Sequence, residues 1–284
     1  MHIDGAFFKL KEILDGMALP FYLLMGRRPW SLGYYTSKKT LIKNAIDTNA
    51  VQIGRPLPIA FGVAMDERVV EYPWLFDRLK HTDGSLGRVL DAGSTLNHDF
   101  ILDRNPLRKA DVTVMTLAPE KRCYWYKGYS YVFGDFRQTN FKDGAFDIII
   151  SISTLEHVGL DNTMLYTDDL EKAETDKNAF VDAVREFRRI LAPHGRCLIT
   201  VPYGKYDNFG WFHIFDDEMI QLLIRTFNPS SFDLDFFQYT KTGWRRALET
   251  EVANATVFDP HSGRGRSDDR AGFARAIACI QLIG

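Results

Sequence analysis

The chain has 284 residues, 45% of them hydrophobic and 25% charged, which suits an ordinary globular protein of one sizeable domain with an added segment. Lysine and arginine total 35 against 37 aspartates and glutamates, a net charge of −2, so no basic field is available to hold a nucleic acid. The three cysteines (Cys123, Cys197, Cys279) are far apart, and Cys197 and Cys279 lie inside apolar runs, which reads as reduced thiols in a cytoplasmic protein.

The stretch Ala6–Met25 is apolar, but Lys9, Lys11, Glu12 and Asp15 interrupt it and Pro20 breaks it. It falls short of the roughly 20 uninterrupted apolar residues of a spanning helix, so no integral membrane segment is expected. It also lacks the basic start and cleavage site of a signal peptide. It reads as a helix packing on the main domain or on a subunit neighbour in a homodimer, with shallow membrane contact as the alternative. Residues 1–80 read as a mostly helical N-terminal cap with a Pro- and Gly-containing loop at 54–62, and residues 81–284 as the main domain.

From Arg88 the pattern becomes strand, connection, strand. The runs RVLDAGSTLN (from 88), DVTVMTLAPE (from 111) and YVFGDFRQTNFKDGAFDIIISISTLEHV (from 131) each place small or polar residues after a short β-branched run. GRCLITVPYG (195–204) adds a fourth such piece. Ligands of open α/β sheets sit beyond the carboxyl ends of the strands, so this order reads as a nucleotide-type binding domain. The acidic stretch 161–178 is too hydrophilic to be core. Phe180, Val181, Val184, Phe187, Ile190 and Leu191 share one face of an amphipathic helix, with Thr175 or Asp176 as its cap and Pro193 with Gly195 as its stop. A strand at 196–202, a helix at 216–227 and strands at 232–242 and 273–282 follow. The expected fold is α/β: a Rossmann-like, doubly wound, seven-stranded sheet with its last two strands antiparallel.

Chemistry should gather at the strand ends. In Asp91-Ala92-Gly93-Ser94, the glycine permits a sharp turn and a close ligand approach that a Cβ would block. Asp135, after Gly134, stands where a carboxylate can accept a hydrogen bond from an adenine amino group. Ser153-Thr154-Leu155-Glu156-His157 places polar groups past an apolar strand. No His/Cys/Asp cluster has metal-ligand spacing, and no serine or cysteine stands in a nucleophile elbow. Arg264, Arg266 and Arg270 could receive a phosphate, but Asp268 and Asp269 beside them favour a solvated loop.

Taken together, VLDAGS, GDFRQTNFKDGAFDIIISISTLEHV and EFRRILAPHGRCLITVP resemble successive motifs of the class I S-adenosylmethionine-dependent methyltransferases, over residues 86–204. MDERVVEYPWLFDRL (65–79) and the AGSTLN variant resemble a bacterial subgroup associated with glycan and polysaccharide biosynthesis. The resemblance implies S-adenosylmethionine as cofactor, with Asp91, Gly93 and Ser94 at its methionine end. It implies Asp135 at the adenine amino group, Phe136 against the ring, and Ser151 to Leu155, including Thr154, beneath the sulfonium. Thr95 and Asn97 replace the family's later glycines. Thr116 stands where the family has an acid that holds both ribose hydroxyls, and a threonine cannot accept two bonds as a carboxylate does; Glu71 is the candidate replacement.

The implied reaction is an in-line methyl transfer to a small acceptor, a sugar or glycan precursor, in which the enzyme positions the acceptor and excludes water. A hydroxyl acceptor needs a base, and the candidates are His157 and His213. Trp211, Phe212 and Phe215 read as core, or as a platform for a sugar face. Two rival readings stand beside this one. A nucleotide-dependent oxidoreductase lacks support because no G-x-G-x-x-G follows the first strand. A degenerate, non-catalytic partner subunit is kept open by Thr95 and Thr116.

Overall fold

The β-branched runs fold as the strands of a parallel sheet. The computed structural model describes residues 13–80, 85–120, 122–167 and 169–284, so residues 6–12 of the expected N-terminal helix lie outside the described residues. The parallel strands are β1 (Arg88–Ala92), β2 (Asp111–Thr116), β3 (Ser130–Phe133), β4 (Phe146–Ile152) and β5 (Leu191–Pro202). β6 (Ser231–Thr240), β7 (Gly243–Ala247) and β8 (Ala276–Ile283) complete a hydrogen-bonded order β3-β2-β1-β4-β5-β8-β6-β7. β8 runs antiparallel to β5, and the bonds Ser230 N to Ile283 O and Tyr239 N to Arg275 O together show that β6 runs opposite to β8. The expected Rossmann-like α/β sheet is present, and its order reverses between β1 and β4.

Among the described residues eight strands, not seven, make the sheet. The added strand is β7, which follows β6 through a tight turn: Gly243 takes φ +110°, and a Cβ there would lie 2.4 Å from the Phe61 carbonyl oxygen. Nor does the N-terminal region form a helical unit by itself. The chain divides into two compact units. The first holds Met1–Asp77, Phe237–Ala247 and Thr256–Ala276, and so mixes the helices Leu19–Leu24, Tyr34–Asp47 and most of Arg68–Lys80 with β7 and the end of β6. The second holds Arg78–Phe236, Leu248–Ala255 and Ile277–Gly284.

The core of the second unit centres on β4 and β5. Ile148 to Ile152 and Cys197 to Pro202 are buried throughout, as expected of strands covered on both faces. The amphipathic helix Phe180–Ile190 buries Phe180, Val184, Phe187 and Ile190 and packs on the helix Asp217–Phe227. Its cap residue is Ala179, with no side-chain cap bond, whereas Asp176 accepts from the Asn178 amide instead. The strand after it begins earlier than expected, at Leu191, because the register shifts between Phe146 and Ile148 and absorbs the Pro193–Gly195 corner. The helix Asp217–Phe227 is closed at its start by Asp216, which accepts from the Met219 amide at 3.0 Å, and at its end by left-handed Asn228.

Phe187 is fully buried on the inner face of its helix. Phe187→Ala should cost about 3–5 kcal/mol, read as a lower urea midpoint with an unchanged slope.

Candidate functional site

The loop after β1 is held by its own carboxylate. Asp91 is fully buried; its Oδ2 accepts from the Leu96 amide at 3.0 Å, and its Oδ1 is 3.4 Å from the Thr95 hydroxyl. Thr95 thus closes the turn where the family resemblance implied a glycine. Burial, opposed by the Leu96 amide and reinforced by nearby Glu120, pushes the Asp91 carboxyl up to about 8. Gly93 takes φ +123°, and a Cβ there would fall 2.1 Å from Thr154 Oγ1. The loops leaving β1 and β4 therefore touch at the point where the strand order reverses. Ser94, also at positive φ, is buried, and so is Ser151 on β4; neither hydroxyl has a hydrogen-bond partner among the described residues.

Asn97 ties three elements together. Its amide donates to Glu120 Oε2 at 2.7 Å and to the Arg122 carbonyl at 2.8 Å, while its Oδ1 accepts from the Tyr131 hydroxyl at 2.8 Å. Glu120 is thereby fixed beside Asp91, four residues beyond Thr116. Its placement is not visible in the sequence, where TLAPE offers no spacing that distinguishes this acid from a surface one. Thr116 itself is buried at the end of β2.

A cavity of about 400 Å³ opens beyond the carboxyl ends of β2, β3 and β4. Leu117 and Ala118 line it after β2, Asp135, Phe136 and Arg137 after β3, and Thr154 and His157 after β4, with Asn162, Thr163 and Tyr166 on a further wall. Asp135, Phe136, Thr154 and His157 are thus brought together. Asp91, Gly93, Ser94, Thr116, Ser151 and Leu155 do not line it, although they lie at or just past the carboxyl ends of β1, β2 and β4. Phe136 is held edge-on against Phe187, with centroids 6.1 Å apart. Arg137 grips Asp135 through Nε and Nη2, and the same guanidinium reaches both oxygens of Glu174. Burial raises the Asp135 carboxyl, but the Arg137 guanidinium and amide outweigh it and hold the group below its ordinary value.

The two histidines differ sharply. His157 lines the cavity with its ring stacked on Trp211, centroids 5.0 Å apart. Its Nδ1 lies 2.9 Å from the Trp211 carbonyl. A carbonyl only accepts, so in the neutral ring Nδ1 carries the proton and Nε2 keeps the lone pair. Nε2 lies 4.0 Å from Glu156 Oε1, a buried carboxylate. His213 is fully buried in an aromatic box of Phe180, Tyr206 and Phe215 and does not line the cavity. Neither of its ring nitrogens has a hydrogen-bond partner among the described residues. Burial, with His157 and Lys177 as lesser causes, pushes it down to about 4. Phe212 and Phe215 are core, while Trp211 is the surface on which His157 rests.

Glu71 belongs to the first unit, where it is fully buried and ion-paired with Arg68. Among the described residues no group of His, Cys, Asp and Glu could hold a metal ion, and no helix is long and apolar enough to cross a membrane.

Residues 106–199, from the approach to β2 into β5, match the family described as a methyltransferase domain. No curated protein matches the chain. Among solved structures, the YcgJ protein of Bacillus subtilis is similar at 15% identity, over 72% of this chain and 95% of its own, with a TM-score of 0.45. The N-methyltransferase NodS of Bradyrhizobium japonicum WM9 is similar at 15% identity, over 73% of this chain and 90% of its own, with a TM-score of 0.42.

The Asp91 carboxyl makes stability depend on pH in a fixed direction. A carboxyl raised on folding favours the folded state while it is protonated. Its penalty is absent below about pH 4, grows as pH rises, and is complete above about 8. Asp91→Asn should flatten that slope, so that the variant gains on the wild type from pH 5 to pH 8 in urea titrations.

Proposed function

We propose that the second unit binds S-adenosylmethionine and that the protein transfers its methyl group to a small acceptor, a hydroxyl of a sugar or glycan precursor, in the cytoplasm. The observation that carries this reading is the joint between Gly93 and Thr154, which sets a buried acid loop beside a cavity that holds Asp135, Phe136 and His157. The residues present fit the cofactor's chemistry. Asp91 offers a carboxylate for an ammonium group, and the Ser94 and Ser151 hydroxyls are buried donors without partners among the described residues. Asp135 and Phe136 offer an acceptor and an apolar face for an adenine.

The bound cofactor supplies an electrophilic methyl group on a sulfonium. The chain then has three tasks. It orients the acceptor in the cavity, which supplies most of the rate in a displacement of this kind. It excludes water there. It also removes the acceptor's proton, for which His157 presents the Nε2 lone pair while the Trp211 carbonyl holds the proton on Nδ1. His213, buried and outside the cavity lining, has no part in this scheme.

Glu120 answers the difficulty posed by Thr116. One of its oxygens is taken by Asn97, and a carboxylate has further lone pairs with which to receive ribose hydroxyls. Glu71 is not needed for that task.

Equilibrium dialysis with labelled S-adenosylmethionine tests the assignment. Glu120→Gln should weaken binding by about tenfold or more, the loss of roughly one charge-assisted bond, and Glu71→Gln should leave it unchanged. For a hydroxyl acceptor, His157→Asn should lower kcat by about 10²–10⁴-fold and leave cofactor affinity intact. Equal binding by the wild type and Glu120→Gln would remove Glu120 from the site.

A further inference from the structure

The first unit presents an apolar surface of an unusual kind. Residues 13–17 and Leu19–Leu24 are helical, and the bonds Ala18 N to Leu14 O and Tyr22 N to Ala18 O carry the turn between them. Their polar residue faces inward. Asp15 is buried, and its two oxygens accept from the Gly33 and Thr36 amides, each at 2.7 Å, at the start of the helix Tyr34–Asp47. Tyr22 is buried beside it, edge-on to Tyr34. A Cβ at Gly33 would lie 2.6 Å from Tyr22 Cβ, so the inward face is closely packed.

That anchoring turns the apolar stripe outward. Ile13, Met17, Phe21 and Leu24 follow one another at helical spacing, and they are 58%, 70%, 68% and 84% exposed. Met25, Trp30 and Leu32 extend the exposed surface. Soluble monomers do not ordinarily leave so many large apolar side chains together in water, and such a patch marks a surface meant to be covered.

Charge decides what covers it. Within Ile13–Leu32 the basic residues are Arg27 and Arg28, and the one acid, Asp15, is buried. Arg27 and Arg28 are exposed at the end of the stripe. A symmetric contact with a second copy would bring the same patch against itself, and the segment has no exposed acid to meet the arginines. A bilayer surface with anionic headgroups supplies both an apolar layer for the stripe and the missing negative charge.

We propose that Ile13–Leu32 is a membrane-interface anchor, laying the stripe Ile13, Met17, Phe21 and Leu24 into the acyl boundary of an anionic leaflet with Arg27 and Arg28 at the headgroups. The protein rests on the membrane without crossing it. This is independent of the proposed reaction.

Flotation of the full chain with phosphatidylcholine vesicles, with or without about a quarter phosphatidylglycerol, is the test. The bound fraction should be at least about fivefold higher on the anionic vesicles and should fall as salt is raised, because exposed charges are screened. Phe21→Ser with Leu24→Ser should abolish binding, and Arg27→Glu with Arg28→Glu should remove the preference for anionic lipid. All four positions are exposed, so the variants should melt with the wild type, which separates lost binding from lost fold. No flotation at either composition would overturn the proposal. So would a wild-type dimer that Phe21→Ser with Leu24→Ser converts to monomer without any vesicle binding, which would assign the stripe to a second copy.

Discussion

At the Cα of Gly93 there is room for a hydrogen and nothing larger, because the Thr154 side chain occupies the space a Cβ would need. This contact locks the loop leaving β1 against the loop leaving β4, where the strand order reverses. The rest of the candidate site depends on it. With β1 and β4 joined there, the turn closed by Asp91 and the cavity walled by Thr154 and His157 become neighbouring parts of one place. A sheet of this kind offers its binding crevice at that reversal.

Around the joint, two carboxylates are kept in opposite states. Asp91 is buried against the Leu96 and Thr95 amides and the Thr95 hydroxyl, and burial holds its proton well above the ordinary range. Asp135 is clasped by a guanidinium and an amide, and its charge is favoured. In the proposed reading the first ionises when the cofactor's ammonium group arrives, and the second stays an acceptor throughout. The Asn97 side chain, bonded to Glu120, to the Arg122 carbonyl and to Tyr131, ties the loop after β1 to the loop after β2 and to β3.

The strands were legible because their apolar runs are β-branched and buried on both faces, so composition alone separates β1, β2, β4 and β5 from their surroundings. The helix Phe180–Ile190 was legible from its periodicity. β7 was not: GWRRA has one large apolar residue and two arginines, and it becomes a strand through the turn at Gly243. The candidate site was legible where a side chain follows a strand end, as for Asp135, Phe136, Thr154 and His157. Glu120 and Asn97 escaped because their placement comes from bonds between loops distant in sequence. His213 looked equivalent to His157, since both follow apolar strands, and only packing shows that one lines a cavity and the other sits in an aromatic box.

The most direct test of the account is a crystal structure of the protein soaked with S-adenosylhomocysteine. The adenine should lie against Phe136 with its amino group at Asp135, the ribose at Glu120, and the amino-acid end at Asp91 and Ser94. Ligand density elsewhere, or none at millimolar soak concentrations, would contradict it.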